Sequence, residues 1–450
     1  SWSENVKKRF QAIDFEVIEI DGHNFEQIDK ALLAAKTATT PVLIIAKTAI
    51  AKGAVTMEGS HHSHGAPLGE DEIAKSKEKA GFDPKEKFFV PADVKGAFDK
   101  LIVGSIAQNN WNDSLSAEAK AKIAQLQNPN YDAVEYPTFE ADSSVATRDS
   151  NHKILNAIAK AIPGFFGGSA DLGPSNKTEL KDMGDFPKGR NIHFGIKEHA
   201  MAAIVNGMYA HGGLKVFCAT FFVFSDYMKG AMRLSALMNL PIAYVLTHDS
   251  IGVGEDGPTH QPIEHLAALR SMPNMTVFRP ADSKETAAAW YYAVTNGTTP
   301  TSLVLTRQKL PLYDGCPKRA LKGGYILKDS KKETPDVLLM ASGSEVELIY
   351  KAADELAAKG IDARVISMPA FELFDAQDEA YKESVMPKAV RARVAVEALT
   401  SFGWHKYVGL DGDVISLDTF GASGNAETLF KQFGFTVENV VAKAVKTVNN

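Results

Sequence analysis

The chain has 450 residues, of which 45% are hydrophobic and 23% are charged. This length is too great for a single hydrophobic core and predicts two to four domains. A formal net charge of −6 argues against a nucleic acid as the main partner. No apolar run approaches the roughly 18 residues that span a bilayer. The two cysteines, Cys218 and Cys316, are typical of a reducing cytoplasm.

The first 130 residues predict an α/β arrangement followed by helices. Strands are predicted over 15–20 and 41–48, on either side of a helix over 24–37 with Asn24 as its N-cap. The two strands are apolar without clean alternation, which predicts a parallel sheet covered on both faces. The Lys-rich and Ala-rich stretch 71–130 predicts helices and then a linker.

A second α/β domain is predicted from about Asp142. Its helices are predicted over 152–163, 197–212, 227–238 and 283–296, with a further helix starting within 263–269. Its strands are predicted over 215–224, 241–247, 276–281 and 301–307, and a strand with its loop over 164–176.

A third domain is predicted after the turn-rich stretch 314–324. Strands are expected over 336–342, 362–369, 391–398 and 413–420, with a helix over 344–359 and two amphipathic helices at the end. Because strands and helices alternate throughout, the sequence predicts an α/β fold of three domains, with parallel and mixed sheets flanked by helices.

The loop from His248 to Pro262 carries an unusual density of titratable groups. It reads His-Asp-Ser-Ile-Gly-Val-Gly-Glu-Asp-Gly-Pro-Thr-His-Gln-Pro and follows a buried strand. Its three glycines and its prolines disfavour helix and strand in the loop, so that its backbone and polar side chains can approach a ligand closely. Two histidines and three acidic groups favour proton transfer and hydroxyl recognition over a plain surface turn.

Three other motifs have both a structural and a functional interpretation. Glu198 begins an apolar helix, where the helix macrodipole alone would favour it. Phe221, Phe224 and Tyr227 recur every three residues after a strand, a pattern that is usually plain core. The histidine-rich run 59–65 could bind a metal, but it lacks the thiolates or carboxylates that usually complete such a site.

Together these motifs resemble the transketolase family over nearly the whole chain. The resemblance is carried by the 248–262 loop, by Glu-His-Ala-Met at 198–201, by Gly-Ser-His-His-Ser-His-Gly-Ala-Pro at 59–67 and by Gly-Ala-Ser-Gly-Asn at 421–425. Transketolases are thiamine-diphosphate enzymes that move a two-carbon ketol unit between sugar phosphates. The resemblance implies a cytoplasmic homodimer of the pentose phosphate pathway that acts on xylulose 5-phosphate and ribose 5-phosphate.

The resemblance also implies the residues around the cofactor. Glu198 would be catalytic through a hydrogen bond to N1′ of the aminopyrimidine, and a dry aromatic pocket would raise its pKa. The other positions with implied cofactor roles are Phe221, Phe224 and Tyr227 around the pyrimidine, His61 near the diphosphate and the donor sugar, Ile50 against the thiazolium, and Asp171 in a structural or interface role. Ala51 and Lys52 stand where the family usually has glycine and an aromatic residue.

The implied substrate site has two parts. Arg148, Ser175, His248 and Arg307 would clamp the sugar phosphate, for which guanidinium forks and a hydroxyl are suited. Asp256 and His260 would contact sugar hydroxyls and the reacting oxygen. His260 and His61 are therefore expected to be catalytic as well as substrate-binding.

The domain assignment that follows is 1–130 as a remnant of the diphosphate-binding domain, 131–315 as the pyrimidine-binding domain and 316–450 as the C-terminal domain. No Gly-Asp-Gly followed by a suitable Asn occurs, so the oxygen ligands for Mg²⁺ or Ca²⁺ are expected to be missing from this chain. The start at Ser1 without Met is interpreted as truncation, and the chain alone as inactive. The alternatives are dihydroxyacetone synthase or another thiamine-dependent enzyme, and a non-catalytic half-subunit that needs a partner chain.

Overall fold

The computed structural model describes residues 3–99, 103–141, 143–315 and 317–449. Asp142, at the predicted domain start, and Cys316 lie outside the described residues. The chain divides into two compact units, an N-terminal unit of residues 1–114 and a C-terminal unit of residues 115–450.

The N-terminal unit contains five helices and two strands among its described residues. These are α1 Val6–Gln11, β1 Glu16–Asp21, α2 Phe25–Thr37, β2 Val42–Lys47, α3 Glu70–Lys79, α4 Ala92–Asp99 and α5 Val103–Ser114. The predicted N-cap is confirmed, because the Asn24 side chain accepts a hydrogen bond from the Gln27 N–H at 3.1 Å. β1 and β2 pair in parallel, as predicted.

The expectation that these two strands are covered on both faces is wrong for the described residues. Every position of β1 and β2 is exposed or half-buried, and the apolar helix residue Phe25 is 86% exposed. Ala31, Ala54 and Glu72 are the buried residues of the described part of this unit. A strand pair with two helices beside it does not enclose enough space for a core.

The C-terminal unit begins with α6, which lies within the predicted first domain, and continues with the region of the predicted second domain. Its elements are α6 Ala117–Gln127, β3 Ser144–Ala146, α7 Thr147–Ala161, β4 Phe165–Ser169, α8 Gly173–Asn176, β5 Asn191–His193, α9 Glu198–His211, β6 Lys215–Phe221, α10 Ser225–Leu237, β7 Ala243–Thr247, α11 His265–Arg270, β8 Thr276–Phe278, α12 Ser283–Thr295, β9 Thr301–Leu305 and β10 Lys309–Pro311. α7 begins five residues before the predicted start, and the hydroxyl of its first residue, Thr147, accepts the Thr306 N–H at 2.8 Å.

Six of these strands form one parallel sheet in the order β5-β4-β6-β7-β9-β8. Side chains of α7 and α12, including Ile154, Ile158 and Trp290, cover one face. Side chains of α9 and α10, including Met201 and Met232, cover the other. The near-continuous apolar strands follow from this two-sided burial.

The last region forms a second, mixed sheet. Its elements are α13 Pro317–Ala320, β11 Tyr325–Lys328, β12 Val337–Ala341, α14 Val346–Ala358, β13 Ala363–Ser367, α15 Phe371–Asp375, α16 Glu379–Val385, β14 Arg393–Val396, α17 His405–Val408, β15 Asp413–Ile415, α18 Ala426–Gln432 and α19 Val437–Asn449. The sheet order is β11-β13-β12-β14-β15, with β11 antiparallel and the other pairs parallel.

The predicted α/β fold with parallel and mixed sheets is confirmed, while several short strands escaped prediction. The missed strands are β3, β5, β10 and β11, each of three or four residues. So few residues give no measurable alternation, and pairing with a distant strand decides their conformation. Within the described ranges, no helix is long and apolar enough to cross a membrane.

Candidate functional site

The predicted site residues of the C-terminal unit follow neighbouring strands of the six-stranded sheet. β6 and β7 end side by side, with Phe221 paired to Thr247, and Thr247 is paired in turn to Leu305 of β9. His248 comes directly after β7, and Arg307 comes two residues after β9. Ligands of parallel α/β sheets bind at the carboxyl ends of the strands, where these residues lie.

Five predicted residues form one aromatic cluster at this edge. The Phe221 ring lies 3.9 Å from the His248 ring and 5.8 Å from the Phe224 ring, centroid to centroid, and the two phenyl rings are nearly parallel. His260 meets both phenylalanines edge-on, at 6.2 and 5.4 Å. Tyr227 extends the cluster from Phe224 at 5.9 Å and is 65% exposed. The cluster offers aromatic faces to a planar ligand.

Glu198 is a buried carboxylic acid without a partner. It is the first residue of α9 and is 7% exposed. Within the described part of the chain, no group donates a hydrogen bond to its carboxylate or forms an ion pair with it. Its carboxylate oxygens are not among the fully enclosed polar atoms that lack a partner, so they remain open to a hydrogen-bond donor from a ligand. With the phenyl faces at the end of β6, against which α9 packs, such an acid fits a planar, hydrogen-bonding ring such as an aminopyrimidine.

Of the four residues of the predicted phosphate clamp, Arg148 contacts the Ser175 backbone and the His248 ring, while Arg307 contacts the neighbouring loop at Val253. Arg148 Nη1 donates to the Ser175 carbonyl at 2.9 Å and lies 3.4 Å from His248 Nε2. Arg307 Nη1 donates to the Val253 carbonyl at 2.8 Å. Neither guanidinium has a carboxylate partner among the described residues, and the buried Arg148 Nε has no acceptor. Burial, and then Arg307, lower the pKa of Arg148. Two unpaired cations fit an anion.

His248 is held as a neutral imidazole. The Thr247 hydroxyl donates to Asn176 Oδ1 at 2.8 Å, so it accepts from His248 Nδ1–H, which is also 2.8 Å away. Nε2 then faces Arg148 as an acceptor. Burial first, then Arg148, Arg307 and His260, lower the His248 pKa to about 3. Its positive φ of 66° turns the chain at the end of β7.

The remaining predicted residues of this unit are more open. His260 is half-buried, with Nδ1 2.9 Å from the Thr259 hydroxyl. Asp256 is exposed and has no hydrogen-bond partner among the described residues. Asp171 is exposed in the loop after β4, with a φ of 59°. Their polar atoms are free to meet a ligand.

The two predicted residues of the N-terminal unit lie on adjacent loops. Ile50 follows β2 and is 42% exposed, and its carbonyl accepts the Gly59 N–H at 2.8 Å. His61 is exposed at the start of a short 3-10 turn capped by Ser60. Ala51, where the family usually has glycine, adopts a φ of 52°. The loop therefore keeps a backbone conformation that glycine favours.

A possible metal-binding group occurs elsewhere in the C-terminal unit. Asp226, Glu264 and His265 bring two carboxylates and an imidazole within reach of one another. Asp226 already accepts from Lys229 at 2.8 Å and is 3.1 Å from His265 Nε2. Because the Lys229 ammonium neutralises Asp226, we interpret the group as a hydrogen-bonded ion cluster.

Sequence reasoning missed the buried polar residues that support the site. Gln261 bridges the Gly254 carbonyl and the Ala422 carbonyl, at 3.0 and 2.9 Å. Arg279 binds Asp249, next to His248, at 2.9 Å. Gln261 lies inside the loop already singled out, whereas no local pattern identifies Arg279, since its partners are 30 and more residues away.

Comparison with protein families divides the chain into three matched regions. Residues 1–133 match "Transketolase, thiamine diphosphate binding domain", residues 143–312 match "Transketolase, pyrimidine binding domain", and residues 323–436 match "Transketolase-like TK C-terminal domain". The match over 1–133 does not bear out the expectation that the N-terminal domain is lacking. The comparisons likewise do not support inactivity, and the chain spans about 70% of the length of the curated relatives it matches.

Relatives and solved structures agree with these matches. A transketolase of Geobacillus stearothermophilus is 48% identical over 464 residues, covering 98% of this chain and 70% of its own length. A crystal structure of Campylobacter jejuni transketolase has a TM-score of 0.93 and 48% identity, over 99% of this chain and 70% of that one. A Pichia stipitis transketolase structure, described as a complex with xylulose 5-phosphate, has a TM-score of 0.93 and 40% identity, over 100% and 69%. The chain belongs to the transketolase family.

Proposed function

We propose that the chain carries out thiamine-diphosphate-dependent transfer of a two-carbon ketol unit from a ketose phosphate to an aldose phosphate. The observation that carries this proposal is Glu198, a buried acid without a partner on a helix that packs against the strand of Phe221. The cofactor, when bound, supplies a carbon nucleophile that can accept the ketol unit. Membership in the transketolase family supports the same reaction.

Different residues of the chain would hold different parts of the cofactor. Glu198 would share a proton with the aminopyrimidine, while Phe221, Phe224 and Tyr227 would pack against its ring and exclude water. His61 and Ile50 would serve the diphosphate and thiazolium ends, and Asp171 would support the site from the loop after β4. These roles rest on the aromatic cluster and on the family match over residues 1–133.

A divalent cation, Mg²⁺ or Ca²⁺, belongs to the proposal because such ions bind diphosphates together with oxygen ligands from the protein. The expectation that those ligands are missing from this chain stays a prediction.

The substrate proposal assigns the phosphate to the cationic end of the site. Arg148, Ser175, His248 and Arg307 would form the clamp, in which the two guanidiniums donate to the phosphate because they have no carboxylate partner among the described residues. The neutral His248 would hold Arg148 through Nε2 and would not itself donate to the phosphate. Asp256 and His260 would bind sugar hydroxyls, and His260 would exchange a proton with the reacting oxygen. Xylulose 5-phosphate and ribose 5-phosphate are the proposed donor and acceptor, in the pentose phosphate pathway.

The proposed setting is a cytoplasmic homodimer. The described free cysteine, Cys218, is buried, which is typical of a reducing compartment. The proposed domains remain 1–130 for diphosphate binding, 131–315 for pyrimidine binding and 316–450 at the C-terminus.

The test is ketol transfer by the wild-type chain and by Glu198→Gln. Because Gln keeps the size but cannot give up a proton, we expect turnover to fall by at least about 100-fold with the circular dichroism unchanged. Glu438→Gln, at an exposed helix start, is the matched control and should retain full activity. Wild-type turnover in Glu198→Gln would contradict the assignment, and formaldehyde as the preferred acceptor would identify dihydroxyacetone synthase instead.

A further inference from the structure

The loop that carries Asp256 and His260 is held from outside its own sheet. Gln261, which is 2% exposed, donates both Nε2 hydrogens to carbonyls, one to Gly254 inside the loop and one to Ala422 in the segment before α18. Through these two hydrogen bonds, the buried Gln261 side chain links the loop at Gly254 to a segment about 160 residues further along the chain.

Residues 421–424 contact the same loop at other points as well. The Ser423 hydroxyl donates to the Glu255 carbonyl at 2.5 Å. The place where Gly257 would carry a Cβ is 3.2 Å from Ser423 Cβ, and the corresponding place at Gly254 is 3.4 Å from the Gly424 carbonyl oxygen. Because Gly254 and Gly257 have no Cβ, the loop backbone can approach this segment, and a side chain at Gly257 would collide with Ser423.

The chain on either side of the loop is anchored to the five-stranded sheet as well. Asp249 is ion-paired with the buried Arg279, which binds the Ser342 carbonyl at the end of β12. The Thr400 N–H donates to the Ile263 carbonyl at 3.1 Å. Between these anchors the loop presents His260 to Phe221 and Phe224. The position of His260 therefore depends on contacts with residues that touch none of the proposed reacting groups.

We propose that Gln261 and residues 421–423 are a positioning device for the 254–260 loop, which sets the places of Asp256 and His260 and thereby the recognition of sugar hydroxyls. The assignment of hydroxyl recognition rests on the proposed function. The proposed coupling between the segment and the loop does not rest on the proposed function.

Gly421→Ala is the sharpest test, because its Cβ would lie 2.0 Å from Gln261 Oε1 and 3.0 Å from Ile251 Cγ2. We expect kcat/KM for the ketose phosphate to fall by about tenfold to 100-fold, since misplacement of a reacting group by about 1 Å has such effects. Gly424→Ala is the matched control, because its Cβ would meet only the Leu429 side chain, with Cδ2 at 3.3 Å and Cγ at 3.6 Å, and no atom of the 254–260 loop. It should keep wild-type kcat/KM.

A double variant distinguishes a loss of loop positioning from a general loss of structure. Gln261→Ala removes the oxygen that the new methyl group meets, and it also removes both hydrogen bonds. We expect Gln261→Ala alone to lower kcat/KM, and Gly421→Ala to add no further loss in that background. An additional loss of the full single-variant size would show that Gly421→Ala acts through something other than Gln261 and would overturn the proposal.

Hydrogen exchange gives a result that does not depend on activity. Deuterium uptake in a peptide covering 250–262 should rise in Gly421→Ala and in Gln261→Ala and stay unchanged in Gly424→Ala. Unchanged uptake in both of the first two variants would overturn the proposal, and Gln261→Ala decides if Gly421→Ala does not fold. If the wild-type chain shows no ketol transfer, the proposed function fails while the exchange result still decides the coupling.

Discussion

At the scale of single residues, the site is marked by groups that this chain leaves unsatisfied. Glu198 is buried without a donor, and Arg148 Nε is buried without an acceptor, among the described residues. The enclosed Arg148 Nε is costly in the free protein, and both groups can bind a ligand that supplies the missing partner. His248 is the opposite case, because both of its nitrogens are engaged, and burial together with its cationic neighbours keeps it neutral.

The depressed pKa of His248 predicts a loss of stability in acid. Its folded pKa of about 3 lies below the ordinary value of 6.5, so the unfolded chain binds a proton that the folded chain refuses. The stability is therefore fully present above pH 6.5 and is lost as the pH falls toward 3. From about pH 7.5 to 5.5 we expect a loss of about 1.4 kcal/mol from this residue.

Urea unfolding at the two pH values measures this effect, with wild-type protein and with His248→Asn. The variant should lose about 1.4 kcal/mol less than the wild type. His211→Asn, at an exposed histidine, is the control and should follow the wild type. Equal losses in wild type and His248→Asn would refute the neutral, buried imidazole.

At the scale of elements, a buried ion cluster joins the ends of strands from the two large sheets. Arg279, after β8, binds Asp249 after β7 and Glu345 after β12. Glu397, after β14, forms a two-pronged ion pair with Arg270 at 2.8 and 2.9 Å and accepts from the Trp404 indole at 2.8 Å. The facing carboxylates raise the pKa of Arg279 despite its burial. The cluster fixes how the strand ends meet, at the edge where the site lies.

Arg279→Met should destabilise the protein strongly. Its removal leaves the buried Asp249 and Glu345 carboxylates without their cation, and breaking such a cluster costs about 3–5 kcal/mol. Lys351→Met breaks the exposed i,i+4 pair with Glu347 and should cost about 0.5 kcal/mol or less. Denaturant midpoints of both variants check the contrast. A similar small cost for both would mean that the cluster carries no net stability.

At the scale of the whole molecule, the two compact units differ in how much they bury. The six-stranded and five-stranded sheets of the C-terminal unit have helices on both faces, with side chains such as Trp290 and Trp404 fully buried. The described part of the N-terminal unit buries three residues, and Phe25 and Phe88 are almost fully exposed. Its β1–β2 pair therefore has little apolar burial to stabilise it.

Native-state hydrogen exchange should reveal this difference. Amides of β1 and β2 should exchange faster than those of β7, because local opening costs least where few apolar contacts are broken. Exchange measured on peptides from 16–21, 42–47 and 243–247 checks the order. Equal protection in all three would show that the N-terminal unit is stabilised by contacts other than its own described core. If the exchange rates of β1 and β2 depended on protein concentration, that dependence would indicate subunit association.

The sequence predicted the order and type of the long elements well, because these depend on local patterns. Asn24 identified a helix start, and apolar runs such as 241–247 identified strands buried on both faces. It could not predict the short edge strands β5 and β11, nor that the helix carrying Phe25 would lie open. Those outcomes depend on which distant segments pair and how much surface they cover.

By itself the sequence determined the chemistry available: a helix-start acid at Glu198, aromatic residues at the end of a strand, and a glycine-rich loop with two histidines. The tertiary structure decided how that chemistry is arranged. Parallel pairing of β6, β7 and β9 brings Phe221, His248 and Arg307 to one edge of the sheet. Long-range hydrogen bonds from Gln261 and Arg279 then hold the loop in place. Such contacts join residues 30 to 161 positions apart, and their energies arise only when burial removes water, which no local pattern records.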